Sequence, residues 1–249
     1  MKKGRKIFII NVICVILIGI LIYSGIKIYN WYKENQNSQK VTKQISETVT
    51  VKQDESKEQK QYIVDFNALK NQNSDTVAWL KVNNTNIEYP IVKTSNNSYY
   101  LTHSFNKSNN SAGWPFADYK NKFDKTDKNI VMYGHNRKDG SMFATLKNVL
   151  SSEWYNNEEN RKIIFNTESE NNIYEVFSVY KIENEDYYIK TEFKNEDEFE
   201  KFLEVVKKRS VKNFGEEVSS KDSILTLSTC DNNNKYRVVL HAKKVLKEE

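Results

Sequence analysis

Ile224-Leu225-Thr226-Leu227-Ser228-Thr229-Cys230, followed by Asp231-Asn232-Asn233-Asn234-Lys235 and then Tyr236-Arg237-Val238-Val239-Leu240-His241-Ala242, is the stretch on which the fold turns. Two runs rich in β-formers flank a polar, turn-prone pentad, which predicts two strands joined by a loop. Alternation puts Thr226, Ser228 and Cys230 on one face of the first strand and Leu225, Leu227 and Thr229 on the other. In the second strand Arg237, Val239 and His241 share a face. If the two pair as neighbours, Cys230 and Arg237 lie together at the loop end. A guanidinium beside a thiol favours the thiolate and can hold a developing oxyanion.

Working outward, further strands are predicted at Ile87 to Val92, Ile130 to Tyr133, Lys162 to Phe165 and Ile173 to Ile182, the last two separated by a turn-prone Asn171-Asn172 pair. The last strand runs from Tyr236 to Val245. Helical spacing is predicted over Val64 to Lys70, and a short helix over Asp75 to Leu80. A clearer helix begins at Asn195, which caps it with Glu198 three residues on; Phe199, Phe202, Leu203 and Val206 share one face and Lys207, Lys208 and Arg209 suit its C-terminal end. Many short strands with few helices predict a β-barrel or sandwich with helical additions.

The N-terminus reads differently. Met1-Lys2-Lys3-Gly4-Arg5-Lys6 is a basic stub, and Ile7 to Ile26 is apolar apart from Asn11, two glycines and Ser24. About 20 such residues suffice to cross a bilayer core. No small-residue cleavage site follows, so the segment predicts an uncleaved signal anchor with a cytoplasmic N-terminus. Cys14 lies inside it and reads as a lipid-facing cysteine. Residues 27–61 are polar and lysine-rich and predict an extracellular tether, leaving 62–249 as one folded domain of roughly 190 residues. Lys2, Lys3, Arg5 and Lys6 supply most of the formal charge of +5. The basicity is therefore a topology signal and argues for no nucleic-acid partner.

Outside the anchor Cys230 is the lone cysteine. In an exported domain it is either buried filler or a reactive nucleophile, since it has no internal disulfide partner. Cysteine chemistry needs a proton-transfer partner, and the chain has three histidines. His103 sits in a loop-like context and His241 is mid-strand among Val239, Leu240 and Ala242, where a structural role fits best. His135 follows a strand and a glycine in Tyr133-Gly134-His135-Asn136, where a side chain can project from a strand end. The residues alone leave two readings open: a Cys-His-Arg site, or a core cysteine, a loop histidine and a solvated arginine.

Leu225-Thr226-Leu227-Ser228-Thr229-Cys230 followed by Tyr236-Arg237-Val238-Val239 resembles the active-site signature of the sortases, and Tyr133-Gly134-His135-Asn136-Arg137-Lys138-Asp139-Gly140-Ser141-Met142-Phe143 is similar to the histidine segment of their class B members. Trp79-Leu80, Tyr89-Pro90-Ile91-Val92 and Gly113-Trp114-Pro115-Phe116-Ala117-Asp118-Tyr119 fit the same class, and the resemblance covers about residues 62–246. It implies a mostly β fold: a closed barrel of about eight strands, with N-terminal helices, an inserted helix before the cysteine strand and one transmembrane helix ahead of it all. It implies Cys230 as nucleophile, His135 as general acid and base, Arg237 as transition-state stabiliser and Ser228 as a substrate contact, with no cofactor and no metal. The implied activity is that of a membrane-anchored transpeptidase of Gram-positive cell surfaces. Such an enzyme cleaves an Asn-Pro-x-Thr-like sorting motif after Thr through a thioester and passes the surface protein to an amine of the peptidoglycan cross-bridge. A cell-wall cysteine hydrolase, with water as acceptor, and a pilin-polymerising transpeptidase are the alternatives.

Overall fold

The computed structural model describes residues 2–53, 60–183, 185–230 and 235–245, with the backbone alone at residues 2, 3, 51–53, 60, 61 and 230. The chain divides into two compact units, Met1–Lys40 and Val41–Glu249. The first is helical: α1 (Lys2–Ser46) begins there, and its most apolar part, unburied, has a mean hydropathy of 2.8. By length and composition it is able to cross a membrane.

In the second unit the end of α1 contributes Val41 and Ile45 to the main core. There follow an antiparallel pair, β1 (Val49–Gln53) and β2 (Lys60–Val64), and the short helix α2 (Phe66–Gln72), whose N-cap Asp65 accepts from the Ala68 amide at 2.9 Å. The stretch expected as a tether over 27–61 thus carries helix and strand in the structure, because Val41 and Ile45 recur one helical turn apart and bury together. Residues 54–59 of that stretch lie outside the described residues.

Eight strands close a barrel in the order β10-β8-β7-β3-β4-β5-β6-β9. They are β3 (Thr76–Val82), β4 (Glu88–Val92), β5 (Phe116–Ala117), β6 (Asn129–Tyr133), β7 (Lys162–Asn166), β8 (Asn171–Glu183), β9 (Ile224–Cys230) and β10 (Tyr236–Lys244). The short helix α3 (Ser152–Tyr155) precedes β7, and α4 (Glu196–Lys208) lies between β8 and β9. Closure leaves no free edge strand in the barrel.

Two local readings need correction. The helix expected over Asp75 to Leu80 is the strand β3, paired with β4 and β7. Its continuous apolar run has no period, and a bulge between Thr76 and Ala78 breaks the alternation further, so only the pairing decides. Asn171 and Asn172 begin β8 instead of turning; the turn is made earlier, where the Thr167 amide donates to Glu170 O at 2.8 Å.

The barrel interior is filled by Leu80, Ile91, Met132, Phe165, Val176, Leu225, Leu227, Val238 and Leu240, all buried. A second cluster sits on the outer face of β8, β9 and β10, where α4 lays Phe199, Phe202, Leu203 and Val206 against Phe177, Tyr180, Ile224 and Val239. The expected helix face is the face that packs. Asn195 accepts from the Glu198 amide at 2.9 Å, and the Glu198 carboxylate reaches back to the Lys194 amide at 2.6 Å, one residue beyond the usual box partner.

Candidate active site

The site is set by three neighbouring strands. β9 lies between β6, with which it runs parallel, and β10, with which it is antiparallel. In the first pair Tyr133 is opposite Ser228, the last partners of that ladder, and His135 follows two residues beyond it. In the second pair Cys230 is opposite Arg237. Positions 230 and 237 are thus neighbours on β9 and β10, and His135 lies just past the end of β6. At about 4.8 Å per strand spacing, β6 and β10 run about 10 Å apart on either side of β9. The Cys230 side chain and the loop 231–234 lie outside the described residues.

Why the backbone leaves β6 at this point is visible in the contacts around Gly134. The Gly134 amide continues the ladder to Ser228 O at 3.3 Å, and the Thr229 hydroxyl donates to Gly134 O at 2.6 Å. A Cβ at Gly134 would lie 2.5 Å from Cγ of Phe143, so only glycine lets the Phe143 ring pack here. His135 O accepts from the Phe143 amide at 3.0 Å, closing the loop between them. Within that loop Asp139 accepts from Ser141 Oγ at 2.6 Å and pairs with Arg137 at 3.1 Å. Burial pushes the Asp139 carboxyl up, but the hydrogen bonds from Ser141 and Arg137 outweigh it and hold it below the usual range.

The His135 ring is fixed from the opposite side. Nε2 lies 2.8 Å from Leu101 O, and a carbonyl can only accept, so Nε2 carries the proton and Nδ1 is the basic nitrogen of the neutral ring. Gly113 lies directly against this ring. It has φ of +61°, and a Cβ there would meet Tyr100 O at 2.5 Å and His135 Cδ2 at 2.9 Å. Both backbone conformation and space demand glycine.

His135 and Arg237 line one cleft of about 330 Å³, together with Asn97, Tyr133, Tyr188 and Ser228. Ser228 borders it with its hydroxyl already engaged, 2.9 Å from the Tyr188 hydroxyl. On the other wall the buried Asp118 accepts from Asn97 Nδ2 and from the Tyr133 hydroxyl, each at 2.8 Å. Burial first, and the Asp118 carboxylate second, push the Tyr133 hydroxyl far up, so it remains a donor. Arg237, half-buried, directs Nη1 toward Tyr236 O at 3.2 Å.

The other two histidines are elsewhere. His103 stacks on Tyr99 with centroids 4.0 Å apart. His241 is fully buried under α4, between Thr226 and Tyr180, as its mid-strand position suggested. Asn97 and Tyr188 had no local signal: one follows a polar loop, the other belongs to a tyrosine pair between β8 and α4. Among the described residues no cluster of three or more metal-ligating side chains occurs.

A family model described as a sortase domain matches residues 80–245. A curated sortase B of Listeria monocytogenes is 36% identical over 97% of this chain and 99% of its own length. Sortase B of Staphylococcus aureus is 31% identical over 89% of each chain. A solved sortase B of B. anthracis superimposes with a TM-score of 0.74 at 34% identity, covering 87% of this chain and 100% of that one.

Proposed function

Because the chain belongs to the sortase family, which makes it a cysteine transpeptidase, we propose that the cleft between His135 and Arg237 is where it cleaves a surface-protein sorting motif after Thr and transfers the protein to an amine of the peptidoglycan cross-bridge. The observation that carries this reading is where the residues lie: position 230 is opposite Arg237 in the β9–β10 pair, and His135, two residues past the end of β6, lines one cleft with Arg237.

In this reading the Cys230 thiolate attacks the threonine carbonyl, with the thiol proton resting on the His135 imidazole. The tetrahedral oxyanion is held by Arg237, whose fixed positive charge also favours the thiolate beforehand. Collapse breaks the peptide bond. The departing amine takes the proton from His135, leaving a thioester on Cys230. The Nε2 bond to Leu101 O supports Nδ1 as the nitrogen that shuttles this proton. An incoming amine then attacks the thioester, gives its proton back to His135, and expels the thiolate. The acyl-group energy stays in the thioester throughout, so the exchange needs no further energy source.

The apolar part of α1 serves in this proposal as a single-pass anchor with the catalytic unit outside. Holding enzyme, tailed substrate and lipid-linked wall precursor at one surface raises their effective concentration. An Asn-Pro-x-Thr-like motif is the proposed acyl donor. The test uses the full chain in detergent micelles with quenched peptides bearing sorting motifs, with and without triglycine, and reads products by mass spectrometry. The expected result is an amine-ligated product that vanishes in Cys230→Ala while the fold survives. Turnover retained by that variant would end the proposal; hydrolysis alone, undiminished by amine, would replace it with a wall hydrolase.

A further inference from the structure

A continuous chain of polar groups, buried except at Tyr187, runs under α4, and both its ends meet a segment of which Tyr188 and Ile189 line the cleft. Its directions follow from donor capacity. The Tyr187 hydroxyl donates to the Tyr180 hydroxyl at 3.1 Å. Tyr180 lies 2.8 Å from His241 Nε2. His241 Nδ1 lies 2.8 Å from Thr226 Oγ1, which spends its single proton on Asn129 Oδ1 at 2.6 Å. Nδ1 must therefore donate to Thr226, and Nε2 must accept from Tyr180. Finally Asn129 Nδ2 donates to Lys190 O at 2.9 Å and reaches Tyr188 O at 3.4 Å.

The chain begins and ends on the same short segment. Tyr187 supplies the first donor, and the carbonyls of Tyr188 and Lys190 the last acceptors. Between them lie His241, Thr226 and Asn129, each fully buried. That segment is one wall of the cleft: Tyr188 and Ile189 line it, and Tyr188 meets Ser228. From outside, Arg209 at the end of α4 covers the Tyr187 ring at 4.7 Å. None of Asn129, Thr226 and His241 lines the cleft.

We propose that Asn129, Thr226 and His241 are positioning residues, whose hydrogen-bonded chain fixes residues 187–190 and thereby sets the cleft's affinity for the acyl-donor peptide. Burying three polar side chains beneath a helix is costly unless each finds a partner. An apolar cluster would pack the same space, but it would leave the carbonyls of residues 188 and 190 without donors. The chain fixes the wall's backbone and not merely its location. The proposal rests on the cleft being the peptide site.

The variant Thr226→Val removes the central hydroxyl at nearly constant shape, and Thr226→Ser restores it. Hydrogen exchange by mass spectrometry on the full chain in micelles is independent of turnover. The expected result is exchange about fivefold faster at residues 186–190 in Thr226→Val, the scale of one lost buried hydrogen bond, with recovery in Thr226→Ser. With the sorting peptide, KM rises about fivefold while kcat changes less than twofold, because the reacting residues are untouched. Unchanged exchange at 186–190 overturns the device, and so does a fall in kcat at constant KM that follows the folded fraction. Faster exchange with an unmoved KM overturns its role in binding. If the wild-type protein cleaves no sorting peptide, the functional reading fails, whereas the exchange comparison still decides the device. Should Thr226→Val not fold, Tyr187→Phe, at the half-buried end of the chain, reads the same two quantities.

Discussion

His241 should make this domain acid-sensitive well above the range where carboxylates titrate. The neutral ring donates through Nδ1 to Thr226 and accepts through Nε2 from Tyr180. Protonation would place a hydrogen on Nε2, facing a hydroxyl that already accepts from Tyr187 and would have to give up its own acceptor. The ring is fully buried among Phe177, Tyr180 and Phe202, and burial pushes its pKa from 6.5 down to about 3. A depressed folded-state pKa contributes stability that is present above the unfolded value and lost as pH falls toward the folded one. The window is therefore pH 6.5 to about 3. At 1.36 kcal/mol per pH unit, the unfolded chain gains about 2 kcal/mol over the folded one between pH 7.5 and pH 5. For a domain of this size that is a fall in Tm of roughly 4–8 °C.

The assay is thermal unfolding of a Val41–Glu249 fragment at the two pH values, for wild type and for His241→Gln. Glutamine is neutral throughout. The variant is less stable at pH 7.5, because the amide does not reproduce both ring contacts. The decisive quantity is the difference between the two proteins in their pH dependence, in which every other titrating group cancels. Glu175, for example, is held above its usual range by burial and by neighbouring Glu216, and so acts with the opposite sign. Identical pH slopes in the two proteins would refute the account of His241 as a neutral structural link.

Arg237→Lys should lower kcat/KM by about 100-fold or more with Tm within a few degrees of wild type, since a point charge does not reproduce a fork of donors; near-normal turnover would remove Arg237 from oxyanion stabilisation. Gly113→Ala should cost about 2 kcal/mol or more, because the new Cβ sits at φ +61° against Tyr100 O and the His135 ring. It should also lower kcat by displacing that ring, and a variant with wild-type Tm and kcat would show that the contact is relieved at no cost.

Much of the architecture was legible locally. Alternation in 224–230 separated a face of Leu225, Leu227 and Thr229 from one of Thr226, Ser228 and Cys230, and the structure decides which is inward: Leu225 and Leu227 fill the barrel, whereas Thr226 and Ser228 lie on its outer side. Helical spacing found the buried face of α4, because 3.6-residue periodicity and a cap are properties of a dozen consecutive residues. The apolar run near the N-terminus was legible for the same reason. The candidate site residues were legible as chemistry, through a lone cysteine, a histidine after a strand end and an arginine opening the next strand.

What the sequence could not supply was partnership. Pleat alternation says which way a side chain points but not which strand lies beside it, so the parallel pairing of β6 with β9, about 95 positions away in sequence, had no local signature. The strand β3 was misread because a run buried on both faces has no period. The cleft walls were likewise invisible: Asn97 and Tyr133 converge on Asp118, and Tyr188 is held through Asn129, Thr226 and His241 from three different strands. The sequence by itself determined the faces, the caps and the reactive groups, because those depend on neighbours along the chain. Only the tertiary structure decided the barrel's strand order and the site's walls, because closing the barrel and satisfying buried polar groups are conditions on all the strands at once.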